Sequence, residues 1–105
     1  MSQPFTSKDR AFLRQGAGEA AAMLRTLGHE QRLLVLCLLI GHGELNVSQL
    51  LEQVELSQSA LSQHLARMRA DGLVDCRREG QAVYYRIADP RVATLVGALK
   101  SVFCP

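Results

Sequence analysis

The sequence predicts a mainly α-helical domain carrying one small β-hairpin, and three observations predict it. Leu61, Leu65 and Met68 recur at i, i+4, i+7, the spacing of one apolar helical stripe. Directly after them, Leu73 to Arg78 and Ala82 to Ile87 alternate and are rich in β-formers on either side of Glu79-Gly80, as two strands joined by a tight turn do. The rest of the chain, on both sides of this unit, reads as helices.

Taken in order, the first helix spans Arg10 to Leu27 and is Ala-rich. Gly16 and Gly18 lower its intrinsic stability, so it needs a partner surface to remain helical. Residues 1–9 ahead of it are expected to be a flexible N-terminal segment. Glu30 to Ile40 is apolar nearly all round, as suits a helix at the centre of a small domain. Asn46 can cap a third helix running to about Val54, and Glu55-Leu56 is a short link. Ser57 can cap the fourth helix, and Gly72 stands where a left-handed residue ends it after Asp71. Third helix, link and fourth helix make a helix-turn-helix, and the hairpin that follows is its wing. Asp89-Pro90 opens the fifth helix with a cap and a proline at its first position. On that helix Val92, Leu95, Val96, Leu99, Val102 and Phe103 form a broad apolar face. The 105 residues therefore read as a single winged helix-turn-helix domain of five helices, with the wing between the fourth and fifth. A chain of this length buries roughly 60 to 70% of the surface its unfolded form exposes. With 48% hydrophobic residues it has apolar surface to spare, which favours a homodimer.

The polar side chains of the fourth helix are suited to nucleic acid. Gln58, Ser59, Ser62, Gln63 and Arg67 share the face opposite the apolar stripe. Gln can bridge adenine, Arg can fork to guanine and Ser adapts to either, so the face fits a major groove of double-stranded DNA. Arg77, Arg78 and Gln81 are expected at the tip of the wing, within reach of a minor groove or its phosphates. His29, His42 and His64 read first as structural or solvated residues, with a phosphate contact as a second reading for His64. A solvated helix face carries similar residues, but the distribution of charge favours the DNA reading. The whole chain has 12 basic and 10 acidic residues and a net charge of only +2. Glu30 to Leu56 nevertheless holds one Arg against four Glu, whereas Ser57 to Arg91 holds six Arg against four acids. A helical module that binds only protein would leave this basic wing unexplained.

Other classes find less support. A thiol oxidoreductase needs a C-x-x-C pair or a cysteine beside a histidine base, and neither is present locally, so no catalytic residue is assigned. His29, His42 and His64 lack ligand spacing among themselves, and zinc needs about four donors converging within roughly 2.0 to 2.3 Å, so no metal site is expected. The apolar run Leu33 to Ile40 is far shorter than the roughly 20 residues of a membrane span. The N-terminus lacks a basic-then-apolar leader, so a cytoplasmic protein with no membrane partner is expected.

Four segments, LGHEQRLLVLCLL from Leu27, ELNVSQL from Glu44, SQSALSQHLARMRADGLV from Ser57 and REGQAVYYRI from Arg78, closely resemble the ArsR family of bacterial winged-helix repressors in order and spacing. The likeness runs from Leu24 to the end. It implies a homodimer whose first and last helices form the interface and whose two recognition helices enter successive major grooves of a near-palindromic operator. It also implies ligand- or redox-controlled release. The family's arsenical-type site places two cysteines where this chain has Asn46 and Ser48, and its zinc-type site needs His or Glu on the last helix, which has neither beyond Asp89. Both sites are absent.

Cys37 in the central apolar helix and Cys104 at the end of the last helix resemble the cysteine pair of the persulfide- and polysulfide-sensing branch of this family. In that branch a sulfur bridge joins the two. Cys37 alone would be explained as a small buried hydrophobe. Cys104 has no such packing reason, and the pair favours sensing. Cys76, in the wing, departs from the two-cysteine pattern and reads as an incidental strand residue. The sequence thus points to a DNA-binding regulator, most simply a repressor, released from its operator when reactive sulfur or oxidants link Cys37 and Cys104. It needs no cofactor. Peroxide, haem or an organometal remain open as inducers, as does action as an anti-silencer or activator.

Overall fold

The structure, a computed structural model, describes residues 4–104. A helical run comes first: α1 (Ser7–Ala11), a π-helical turn (Phe12–Gly16) and α2 (Ala17–Leu27). Thr6 caps it through a reciprocal box, its hydroxyl accepting from the Asp9 N–H at 3.1 Å while the Asp9 carboxylate accepts from the Thr6 N–H at 2.8 Å. The helix therefore begins at Ser7 rather than Arg10. Ser7 to Asp9, within the stretch 1–9 expected to be flexible, form its first turn, and residues 1–3 lie outside the described residues. The π turn ends at Gly16, where a Cβ would lie 2.9 Å from the Phe12 ring, so the small residue makes room for the aromatic one.

Next is α3 (Glu30–His42), capped by His29, whose Nδ1 accepts from the Gln31 N–H at 3.2 Å. It runs past the expected end at Ile40 and leads into β1 (Glu44–Asn46), a strand not anticipated from the sequence. Asn46 and Gln49 cap α4 (Val47–Gln53) reciprocally, each bond 2.8 Å. The Ser57 hydroxyl accepts from the Ala60 N–H at 3.1 Å to start α5 (Gln58–Ala70). At its end Gly72 has φ +77°, and the Gly72 and Leu73 N–H groups bond back to Arg69 and Met68 at 3.0 and 2.9 Å. That closure satisfies the last carbonyls and needs the glycine.

The wing is β2 (Val74–Glu79) and β3 (Ala82–Ile87), antiparallel, with Glu79 opposite Ala82. Its two-residue turn is therefore Gly80-Gln81, one position later than the expected Glu79-Gly80. Gly80 takes φ +62° at the first turn position, where a type II′ hairpin favours glycine. The third strand, β1, pairs with β3 through Leu45 and Tyr85, giving the order β1-β3-β2. Last is α6 (Pro90–Phe103), capped by Asp89, whose carboxylate accepts from the Arg91 N–H at 3.0 Å. The architecture is the expected winged helix-turn-helix, with a three-stranded sheet in place of a bare hairpin.

One core holds these elements together. Leu61, Leu65 and Met68 of α5 are buried with Val35, Leu36 and Leu39 of α3, and the cluster continues through Leu50, Leu73, Val92 and Val96. Large apolar side chains nevertheless remain uncovered at both ends of the chain: Phe12, Leu13 and Leu24, and Leu95, Val102 and Phe103.

Leu65→Ala should lower unfolding free energy by about 2 to 5 kcal/mol, because it removes buried methyl groups and leaves a cavity. The exposed Ser59→Ala should change it by no more than about 0.5 kcal/mol. Urea titration at fixed protein concentration checks both, and equal midpoints for the two variants would place Leu65 outside the core.

Candidate nucleic-acid interface and thiol cleft

On α5, Gln58, Ser59, Ser62, Gln63 and Arg67 are exposed, on the side away from the buried stripe. Gln58 and Ser62 line a groove of about 270 Å³ together with Asn46 and Ser48 at the start of α4 and Gln81 in the wing turn. The fold thus brings Gln81 beside the recognition helix. The sequence marks Asn46 as a helix cap, and Asn46 and Ser48 as the positions of a missing metal site, but does not mark either as a groove residue. The cap at Asn46, which starts α4, the first helix of the helix-turn-helix, was the available signal. Amides and hydroxyls in such a groove are suited to phosphate and sugar contacts.

The arginines divide into engaged and open groups. Arg67 donates from Nε to Asp71 at 3.0 Å, one helical turn along, and is about half exposed. The same Asp71 oxygen accepts from the hydroxyl of Thr26, which is fully buried at the end of α2. The Thr26 hydroxyl first, then Arg67, hold the Asp71 carboxyl below its ordinary range. Arg77 is not at the wing tip. It lies opposite Tyr84 within the hairpin, donates to Glu44 at 2.6 to 3.1 Å and to Glu79 at 2.7 Å, and stacks 4.7 Å from the Tyr84 ring centre. Glu44 is on β1, so the strand missed from the sequence is what engages this arginine. Its hydrogen bonds in turn lower the Glu44 pKa. Arg78, next to the turn and opposite Val83, makes no ion pair among the described residues.

His64 faces inward. Its ring centre is 4.5 Å from that of His29, and its Nδ1 lies 3.5 Å from Arg32 Nη1. Arg32 also donates to the Thr26 carbonyl at 2.6 Å, so it bridges the end of α2 and the recognition helix. Burial, then the neighbouring His29 and Arg32, depress the His64 pKa, which favours a neutral imidazole beside α3, in keeping with the structural reading of this histidine.

A second site lies between α3 and α6. Leu33 and Cys37 from α3, and Val96, Leu99, Lys100, Phe103 and Cys104 from α6 and its end, line a cleft of about 440 Å³. Both cysteines are thiols, Cys37 half-buried and Cys104 exposed. The Cys104 N–H bonds to the Lys100 carbonyl at 2.8 Å, closing the helix. Cys76 is opposite Tyr85 in the sheet, outside the cleft. Among the described residues no three His, Cys, Asp or Glu side chains converge as a metal site, and no helix is long and apolar enough to cross a membrane.

The family profile described as "Bacterial regulatory protein, arsR family" matches residues 29–75, from the cap of α3 into β2. Similarity extends well beyond that segment: the HTH-type transcriptional regulator YgaV of Escherichia coli K12 is 43% identical over 95 residues, covering 90% of this chain and 96% of the relative. The chain belongs to the ArsR family. The transcriptional activator HlyU of Vibrio cholerae is 40% identical over 92 residues, covering 88% of this chain and 84% of the relative. The solved structure of the transcriptional repressor BigR from Xylella fastidiosa superposes with a TM-score of 0.85 at 38% identity, covering 91% of this chain and 97% of that one. This ArsR-family protein is accordingly a DNA-binding transcriptional regulator, not an enzyme, and regulators of the family typically act as dimers.

The depressed His64 pKa has a sign. Protonation is disfavoured in the folded state, so the stability contributed by neutral His64 is complete above the free-imidazole value of 6.5 and is lost as pH falls below it. The His64 ring proton resonances should titrate with a midpoint below 6.5, and His64→Gln should reduce the loss of stability across that range. A midpoint at or above 6.5 would contradict the inward, cation-flanked placement.

Proposed function

We propose that this regulator binds a near-palindromic operator as a homodimer while Cys37 and Cys104 are thiols, and leaves it when they become linked. The observation that carries the reading is the common apolar cleft, to which α3 and α6 each contribute one cysteine. Reactive sulfur supplies the oxidant. A thiolate of the pair attacks the outer sulfur of a hydropersulfide R–S–SH, breaking its S–S bond, so that R–S⁻ departs and a protein persulfide forms. The second thiolate then attacks the protein-bound sulfur and expels hydrosulfide, leaving a Cys37–Cys104 bond. Two thiols have lost two electrons, the transferred sulfur has gained them and left as sulfide, and the thiol protons pass to the departing sulfur anions. No cofactor enters.

The DNA surface in this reading is the exposed face of α5 (Gln58, Ser59, Ser62, Gln63 and Arg67) with Arg78 and Gln81 of the wing. Asn46 and Ser48 flank it on the backbone side. In this reading Arg77 orders the wing and His64 seats the helix, instead of touching DNA. The two recognition helices of a dimer would meet half-sites about one helical turn, roughly 34 Å, apart. Support for dimerisation comes from the uncovered Phe12, Leu13, Leu24, Leu95, Val102 and Phe103 on the first and last helices, more apolar surface than a small monomer ordinarily exposes. Repression in the cytoplasm is the simplest outcome of such a switch.

Fluorescence anisotropy with operator DNA tests the two surfaces. Gln63→Ala should lose discrimination among sequences by about 1 to 3 kcal/mol, whereas Arg78→Ala should weaken binding to all sequences and reduce the salt slope by about one unit. Wild-type affinity and slope in both would remove the assignment. Val102→Glu, at a position 72% exposed, should give folded monomers with operator binding lost. A wild-type protein that sediments as a monomer at micromolar concentration would refute dimerisation.

Cys37→Ser and Cys104→Ser should each bind operator when reduced yet stay bound on persulfide treatment, while Cys76→Ser responds as wild type does. Release of the Cys37→Ser/Cys104→Ser double variant by persulfide would defeat the sensing mechanism and leave the DNA assignment standing.

A further inference from the structure

We infer that the α3–α6 cleft discriminates among sulfur donors, with Lys100 as its positioning cation, and that it favours small inorganic polysulfide anions over hydrophilic peptide persulfides. The inference rests on the proposed role of Cys37 and Cys104. Besides Lys100 and the solvent-facing Cys104, the five lining side chains are Leu33, Cys37, Val96, Leu99 and Phe103, so the wall offers hydrocarbon, one aromatic ring and a thiol. Lys100 supplies its one charged group. It stands one helical turn before Cys104 and also borders the adjoining smaller cleft, which Cys37, Ile40, Gly41, Ala93, Val96 and Gly97 complete. A single ammonium therefore flanks both openings at Cys37. It has no carboxylate partner among the described residues, and neither lining contains an acid.

Such a site treats sulfur donors unequally. Glutathione persulfide carries two carboxylates, an ammonium and two amides, and a wall with one polar side chain leaves most of them without partners when they lose water. An inorganic polysulfide is a short chain of soft, weakly hydrated sulfur atoms, anionic at neutral pH, that needs one cation and an apolar wall. The step balances as before: the Cys37 thiolate attacks a terminal sulfur of the chain, the adjoining S–S bond breaks, a Cys37 persulfide forms and a polysulfide anion one sulfur shorter departs. Cys104 then displaces hydrosulfide from the Cys37 persulfide. Lys100 faces the incoming anion and both departing ones, and an attractive charge at a cleft mouth raises encounter rates by tenfold or more.

The experiment follows the Cys37–Cys104 link by intact and peptide mass spectrometry in the reduced full-length protein, after mixing with sodium tetrasulfide or with glutathione persulfide at low and high salt. Wild type should link about tenfold faster with tetrasulfide. Lys100→Gln should slow the tetrasulfide reaction by about tenfold and flatten its salt dependence, while changing the glutathione persulfide rate by only about twofold. Lys100→Arg should restore both the rate and the salt dependence. Operator affinity of the reduced variants serves as the folding control. Equal rates for the two donors, or a Lys100→Gln rate equal to wild type, overturn the inference and leave the thiol switch intact. Absence of the link with both reagents overturns the switch and the inference together.

Discussion

The packing of α3 against α5 is the constraint on which the rest of the molecule depends. Val35, Leu36 and Leu39 occupy one side of α3 and share a core with Leu61, Leu65 and Met68, so the azimuth of the recognition helix is fixed by hydrocarbon contact. That azimuth sends Gln58, Ser62, Gln63 and Arg67 outward. The flank of the same α3 carries Leu33 and Cys37 to the cleft with α6. One helix thus borders both the reading head and the thiols. Interiors at crystal-like density respond to strain by shifting between discrete packings rather than by deforming smoothly, and in the proposed switch a covalent tie between α3 and α6 acts on α5 through this shared helix.

Polar contacts refine this arrangement at its edges. Thr26 is fully buried, and its hydroxyl meets Asp71 at the end of α5 while its carbonyl receives Arg32 from α3. The end of α2 is thereby fastened to both helices of the central seam. Arg91 extends the same pattern, joining Glu19 of α2 to Asp89 at the start of α6 at 3.1 and 2.8 Å. Exposed pairs of this kind contribute at most about 1 kcal/mol each, so their role is alignment rather than stability. They also limit the charge offered to DNA. Arg67 and Arg77 are each partnered within the chain, and Arg78 carries the open charge of the wing. In the proposed DNA surface these pairings shift weight from phosphate attraction toward base contacts and shape.

Most of the fold was legible because its signals are local. Caps at Asn46, Ser57 and Asp89, the glycine at 72 and the stripe Leu61, Leu65, Met68 each sit within a few residues of the structure they specify. The misses have the opposite character. β1 is three residues long and has no alternation to read; it exists because Leu45 finds Tyr85 across 40 positions of sequence. The Glu44–Arg77 pair depends on that strand, so an arginine read as free from its neighbours is engaged from a distance. The partners of His64 are distant in the same way, since Arg32 precedes it by 32 residues. The early start of the first helix did have a local signal that was passed over, the Thr6-to-Asp9 capping box. That Cys37 and Cys104 line one cleft became visible only once α3 and α6 were placed side by side.

The central claim is that one covalent link between α3 and α6 changes the fit of two recognition helices to DNA. The most direct measurement is the operator affinity of isolated protein whose Cys37–Cys104 link has been verified by mass, compared with the same sample after reduction by dithiothreitol. A two-state dimer with a coupling of about 2 to 3 kcal/mol predicts a roughly 30- to 150-fold loss of affinity in the linked form, fully recovered on reduction. Equal affinity of the linked and reduced forms would contradict the account.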